Sequence, residues 1–151
     1  HYDTVINFEA WIGSCHQDQF RGGPGDDEFH GWDGNDILEG GAGTNYLYGG
    51  RGADSFTFTR DLGEDYVYEV YERMDSPTLR DSVNILYLTI DEIDFDREGN
   101  DLVLTTTNRD TAMFIVNWFQ NFEVELFTCS ASKIRYSAED VAAMFGVDIP
   151  A

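Results

Sequence analysis

Basic residues are scarce in this chain. Nine Lys and Arg face 29 Asp and Glu, a formal charge of −20 at pH 7, and Lys133 is the sole lysine. A surface of that sign repels nucleic-acid phosphates and anionic membranes, so neither is expected as a partner. No glycine-rich phosphate loop ends in Lys-Ser or Lys-Thr. Apolar runs are short, none approaching the length of a transmembrane helix. The two cysteines, Cys15 and Cys129, make no disulfide framework and read as free thiols or small buried hydrophobes. His1-Tyr2-Asp3 carries no initiating Met and no basic region before a long apolar stretch. The expectation is a fragment of a longer protein, without an amino-terminal secretory signal in these residues.

Catalytic signatures are equally thin. His1, His16 and His30 show no His-Glu-x-x-His spacing, and no serine elbow is present. Carboxylates are so numerous that no single pair marks hydrolysis. The chain is therefore read as non-enzymatic. Its 42% apolar and 15% aromatic content nevertheless excludes a wholly disordered polymer.

The dominant signal is an internal repeat. Residues 22–30, 31–39, 40–48 and 49–57 are four nonapeptides in one register without insertion. Positions 1 and 4 are Gly in every unit. Position 6 is Asp27, Asp36, Asn45 and Asp54, and position 8 is Phe29, Leu38, Leu47 and Phe56. Residues 13–21 fit weakly through Gly13, Asp18 and Phe20, and a degraded unit follows through Gly63 and Asp65. The Gly-rich first six residues of a unit suit a turn that enters positive φ. The last three alternate out, in, out, as in a short strand. One apolar residue per unit cannot bury itself, but stacked units build a continuous core. Two nonapeptides per turn of coil put unit n on unit n+2. The predicted fold is all-β: a right-handed parallel β-roll over 13–57, a cap strand from 1–12, and a β-rich capping region over 58–151 with its own small core.

Calcium takes six to eight oxygen ligands in a flexible shell. Gly-rich turns offer uncrowded carbonyls, and an acid at a fixed place adds charge. Stacking pairs Asp18 with Asp36, Asp27 with Asn45, Asp36 with Asp54, and more weakly Asn45 with Asp65. The candidate ligands are these residues with the turn residues Gly22, Pro24, Gly31, Asp33, Gly40, Ala42, Gly49 and Arg51. About three ions are expected, with Asp36 the only acid serving two. An EF-hand beginning at Asp94 is rejected because its twelfth position is Thr105, where that loop needs Glu.

Beyond Thr57 strands are predicted over 66–71, 83–88, 102–107, 112–116 and 124–127. Arg97-Glu98-Gly99-Asn100 reads as a hairpin turn, and 75–81 with Pro77 as a loop. Ser137 and Asp140 resemble a capping box before a short helix with Val141, Met144 and Phe145 on its apolar face, closed by Gly146. Trp32, at position 2 of its unit, is expected to face outward, and Trp118 to lie in the core.

The nonapeptide resembles that of the repeats-in-toxin (RTX) proteins, Gly-Gly-x-Gly-x-Asp-x-U-x. Residues 96–104 with 116–119 resemble the domain that follows such repeats in bacterial haemolysin-type calcium-binding proteins. Residues 2–9 with Ile12-Gly13-Ser14 resemble their lead-in. The resemblance implies a module exported from a Gram-negative bacterium by type I secretion machinery, folding on extracellular calcium beside a toxin, enzyme or adhesin effector. The rival expectation is a calcium-stabilised adhesion module binding sugar or a host receptor through Trp11, Trp32 or Tyr46.

Overall fold

The computed structural model describes residues 3–4, 10–69, 80–121 and 124–148. The predicted strand residues Val5, Ile6 and Phe8, the loop around Pro77 and the last three residues lie outside that set. Among the described residues no helix is long and apolar enough to cross a membrane.

Each nonapeptide gives one strand, as its alternation predicts. In chain order these are β1 (Asp3–Thr4), β2 (Ala10–Ile12), β3 (Gln19–Arg21), β4 (Glu28–Asp33), β5 (Ile37–Glu39), β6 (Gly43–Arg51) and β7 (Ser55–Phe58). Consecutive strands go to opposite sheets. Odd strands pair in parallel with odd and even with even, at a step of 18 residues from β2 to β7 (Phe29 opposes Leu47, and Phe20 opposes Leu38) and of 17 between β1 and β3. The result is a parallel β-roll with two sheets and two edges of turns. One edge carries the turns 13–18, 31–36 and 49–54; the other carries 22–27 and 40–45.

The lattice does not stop where the sequence period is lost. β8 (Gly63–Tyr68) pairs with β6, and β9 (Asp81–Ile85) pairs with β7. The connections then lengthen. β10 (Ile93–Glu98) and β11 (Asp101–Thr106) form an antiparallel hairpin, and β12 (Ala112–Ile115) returns parallel to β8. Gly99 has φ 63° at the first of two turn residues, as in a type II′ hairpin. A one-turn helix α1 (Trp118–Asn121) leads to β13 (Val124–Cys129), parallel to β9, and β14 (Ile134–Ser137) closes that sheet antiparallel. Among the described residues both sheets have seven strands.

One apolar column fills the space between them, from Phe20, Phe29, Leu38, Leu47 and Phe56 through Phe58 and Val83 to Leu102, Met113, Trp118 and Phe127. The separate small core expected for the second half is the upper end of this same column. It forms because β8, β9, β12 and β13 keep stacking on the repeat strands. Trp118 is fully buried, and its indole N–H donates to the Val124 carbonyl at 2.9 Å. Cys129 is buried and Cys15 exposed, and both thiols are free.

Helix α2 (Ala138–Met144) starts at the predicted capping box. The Ser137 hydroxyl accepts the Asp140 N–H, and Asp140 accepts the Ser137 N–H. Its buried face is Ala138, Val141 and Ala142. Met144, assigned to that face from the sequence, is 51% exposed. Met144, the last helical residue, lies on the side of Val141 away from Ala138 and Ala142, at the margin of the buried face.

Candidate metal centre

Stacking by 18 residues sets the position-6 side chains above one another along each edge, and all but Asp18 are buried. On the first edge, the Asp36 Oδ1 accepts the Asp18 N–H at 2.7 Å, and the Asp54 Oδ1 accepts the Asp36 N–H at 2.8 Å. Each carboxylate thus spends one oxygen on the turn below. The second Asp36 oxygen, Oδ2, is buried and has no hydrogen-bond partner among the described residues. A Cβ built on Gly31 would fall on this oxygen and on the Gly49 carbonyl oxygen. Only glycine is tolerated there, so a carboxylate oxygen and a carbonyl oxygen both approach the bare Gly31 backbone with no side chain between them.

An ionised oxygen without a partner in such a place is costly. Burial accordingly pushes the Asp36 carboxyl up to about 6; the Asp18 N–H partly offsets this, and the charges of Asp54 and Asp18 add to it. Asp65, on the second edge, is raised to about 7, again chiefly by burial, with the Asn45 hydrogen bond opposing and Asp61 and Glu39 adding. At Asp36 a divalent cation would relieve this burden without a proton.

The pairs read from the sequence are brought together: Asp18 with Asp36, Asp36 with Asp54, Asp27 with Asn45, and Asn45 with Asp65. The turn residues differ in setting. Gly22, Gly31, Gly40 and Gly49 line the turn interiors, where a Cβ would meet a position-6 side chain. Pro24, Asp33 and Arg51 are exposed and Ala42 is half-buried. The Arg51 carbonyl already accepts the Gly34 N–H at 2.8 Å.

Two acids were missed. Asp81 takes the position-6 place in the next turn of the first edge: its Oδ1 accepts the Asp54 N–H at 2.8 Å. Glu69 comes in beside it, and one carboxylate oxygen each from Asp54, Glu69 and Asp81 lie within 4.8 Å of one another. Asp36 is therefore not the only acid with neighbours on both sides; Asp54 has them too. The signal was present in the sequence, since Asp81-Ser82-Val83-Asn84-Ile85 repeats the pattern of Asp54-Ser55-Phe56-Thr57-Phe58 at a distance of three nonapeptides. Above these positions the acids end. Asp65 is opposed by Met113, and Asp81 by Val124, both fully buried and apolar. Along the same lattice, an edge of oxygen ligands gives way to hydrocarbon.

The outer face of the even-strand sheet carries two aromatic columns. His30, Tyr48 and Tyr68 stack at 4.4 and 4.8 Å between centroids, and Tyr46, Tyr66 and Phe114 at 5.6 and 4.7 Å. Trp32 stands apart, 62% exposed as predicted.

A parallel roll with stacked acid-bearing turns defines the class of the molecule, and the family match agrees with it. Residues 17–47 match the RTX calcium-binding nonapeptide repeat, in four copies. The chain thus carries RTX calcium-binding repeats. No curated protein matches the chain. Among solved structures, one subunit of the mannuronan epimerase of Azotobacter vinelandii is similar at 23% identity and a TM-score of 0.47, covering 71% of this chain and 70% of that one. A second subunit of the same enzyme gives 21% identity and 0.45, covering 70% and 81%. The extracellular lipase LipA of Serratia marcescens gives 18% identity and 0.44; the match covers 80% of this chain but spans only 14% of the lipase.

Proposed function

We propose that this chain is a calcium-dependent folding module of a larger exported protein, with no catalysis of its own. The observation that carries this reading is the buried Asp36 Oδ2, which has no hydrogen-bond partner among the described residues and lies with the Gly49 carbonyl oxygen against the bare Gly31 backbone. The ligands proposed are the position-6 acids of the first edge, Asp18, Asp36 and Asp54, continued by Glu69 and Asp81, together with turn carbonyls and with Asp27 on the second edge. A cation here neutralises charge that the fold concentrates, so metal affinity is folding energy. In low calcium the acids of the first edge repel and that edge stays open; in the millimolar calcium outside a cell it closes.

That behaviour suits passage through type I secretion machinery of a Gram-negative bacterium, followed by folding in the extracellular medium. The carrying experiment is a calcium titration followed by circular dichroism, on the wild type and on Asp36→Ala. The wild type should gain β signal cooperatively and the variant only at higher calcium. A full β spectrum in excess chelator, unchanged by calcium in both, would defeat the reading.

Adhesion to sugar is the weaker reading. Rings of His30, Tyr48 and Tyr68 turn their faces to one another, and a sugar ring packs on an aromatic face. Trp32 retains exposure for such a contact.

A further inference from the structure

The two edges of the roll are not equivalent. On the first edge every position-6 place from Asp18 to Asp81 is an acid. On the second, the middle place is Asn45, and its hydrogen bonds fix which way its amide points. The Asn45 Oδ1 accepts the Asp27 N–H at 3.0 Å. Its Nδ2 donates to the Gly41 carbonyl at 3.2 Å and to the Asp65 Oδ1 at 2.8 Å. The opposite rotamer would set an amide N–H against an N–H donor and an amide oxygen against two acceptors, so only one orientation is consistent.

We propose that the Asn45 amide occupies the place of a cation at the Asn45–Asp65 step, so that this step closes without metal while the first edge requires it. The inference rests on the calcium reading above and concerns one step of it. The geometry carries the argument. A cation between two turns gathers a carboxylate oxygen from one and a carbonyl oxygen from the other. Here the two hydrogens of a single –NH₂ group already meet one of each: a turn carbonyl of its own unit and the carboxylate of the unit above. A cation drawn to the same oxygens would face the partial positive charge of that –NH₂ group and break both bonds. The Asp36 Oδ2 shows the contrast, since no donor among the described residues reaches it. Asp65 therefore serves as a hydrogen-bond acceptor, and Asn45 as a fixed polar rivet between the repeat turns and the first turn beyond them. The module would keep one edge partly assembled when calcium is low, and closure of the other edge would be the metal-dependent event.

The test counts ions. Calcium bound at saturation is measured by native mass spectrometry and by isothermal titration calorimetry for wild type, Asp65→Asn and Asn45→Asp. Asp65→Asn keeps an oxygen for the Asn45 –NH₂ group, so the ion count should equal that of wild type. Asn45→Asp exchanges the donor for a carboxylate, so it should bind one more ion than wild type and lose β signal in chelator. Loss of an ion in Asp65→Asn would overturn the proposal, because that residue would then be a ligand. An unchanged count in Asn45→Asp would overturn it as well. A wild type that binds no calcium would bring down the calcium reading and this step with it, whereas either of the other two failures strikes the Asn45 assignment alone. Should Asn45→Asp not fold, the Asp65→Asn count still decides.

Discussion

Replacing Asp36 by Asn should change stability in opposite directions with and without calcium. In the metal-free fold the Asp36 carboxylate has one oxygen bonded to the Asp18 N–H and the other buried without a donor. Burial raises its pKa from 3.8 to about 6. The unfolded chain holds this group near 3.8, so the folded state binds the proton more tightly than the unfolded one. Below 3.8 both states are protonated and the group contributes nothing. Between 3.8 and about 6 the folded state loses ground, and above 6 the cost is complete. A shift of that size is at most about 3 kcal/mol. Asn keeps the oxygen that accepts from Asp18 and puts a neutral –NH₂ group where Oδ2 was, the arrangement Asn45 already shows. In chelator at pH 7.5 the variant should therefore be the more folded protein, and near pH 3.5 it should match wild type. With calcium the order reverses, because a charged ligand next to Gly49 has been removed. Circular dichroism melts in chelator and in millimolar calcium, at both pH values, measure all four states. A variant less stable than wild type in chelator at pH 7.5 would refute the reasoning, since it would mean that the buried oxygen carries no electrostatic burden.

Four further outcomes follow from the same packing. Phe56→Ala removes a fully buried ring from the middle of the shared column; it should cost about 3–5 kcal/mol and raise the calcium midpoint in a titration, whereas an unshifted midpoint would place the ring outside the coupled unit. Trp32 has φ 80°, at the place where Gly41 and Gly50 have φ 86° and 99°, so Trp32→Gly should raise the melting temperature, by roughly 1 kcal/mol of relieved left-handed strain; a lower melting temperature would count against that. Asp81→Asn should weaken calcium binding at the Asp54 step while leaving the second edge intact, as read by calorimetry with hydrogen exchange of the β6 and β8 amides. Magnesium, which demands a tight octahedron, should replace calcium poorly in restoring β signal.

The repeat region was legible because two independent periods agree there. A nine-residue spacing of Gly and Asp fixed the turns, and one apolar residue at position 8 fixed the inward face, so the 18-residue pairing of Phe29 with Leu47 could be read directly. The hairpin at Gly99 and the cap at Ser137 were legible for a local reason, since both depend on a few adjacent residues. The later strands were placed roughly, but their partners were not. β12 lies 48 residues from its partner β8 in the register Ala112 to Glu64, and no spacing rule reaches across a hairpin and a long loop.

The candidate site shows where pattern reading stops. Asp18, Asp36 and Asp54 are found by counting nines. Asp81 continues their ladder because β9 stacks on β7 as β7 stacks on β5, at a step of 27 residues where 18 is expected. Glu69 has no counterpart in the nonapeptide at all. What fixes both acids is the lattice: Glu69 follows β8 and Asp81 opens β9, both strands stack on the repeat strands, and their carboxylates therefore meet that of Asp54. The same lattice explains the end of the acid ladder. Met113 and Val124 take the places an Asp would fill, because from that turn upward the longer connections and the β10–β11 hairpin accompany a column of buried side chains. The transition from ionic edge to apolar interior is thus a change of side chain at constant backbone register. The proposed cation edge below and the hydrophobic packing above share strands β6 to β9, and for that reason closure of that edge and consolidation of the upper core should occur together.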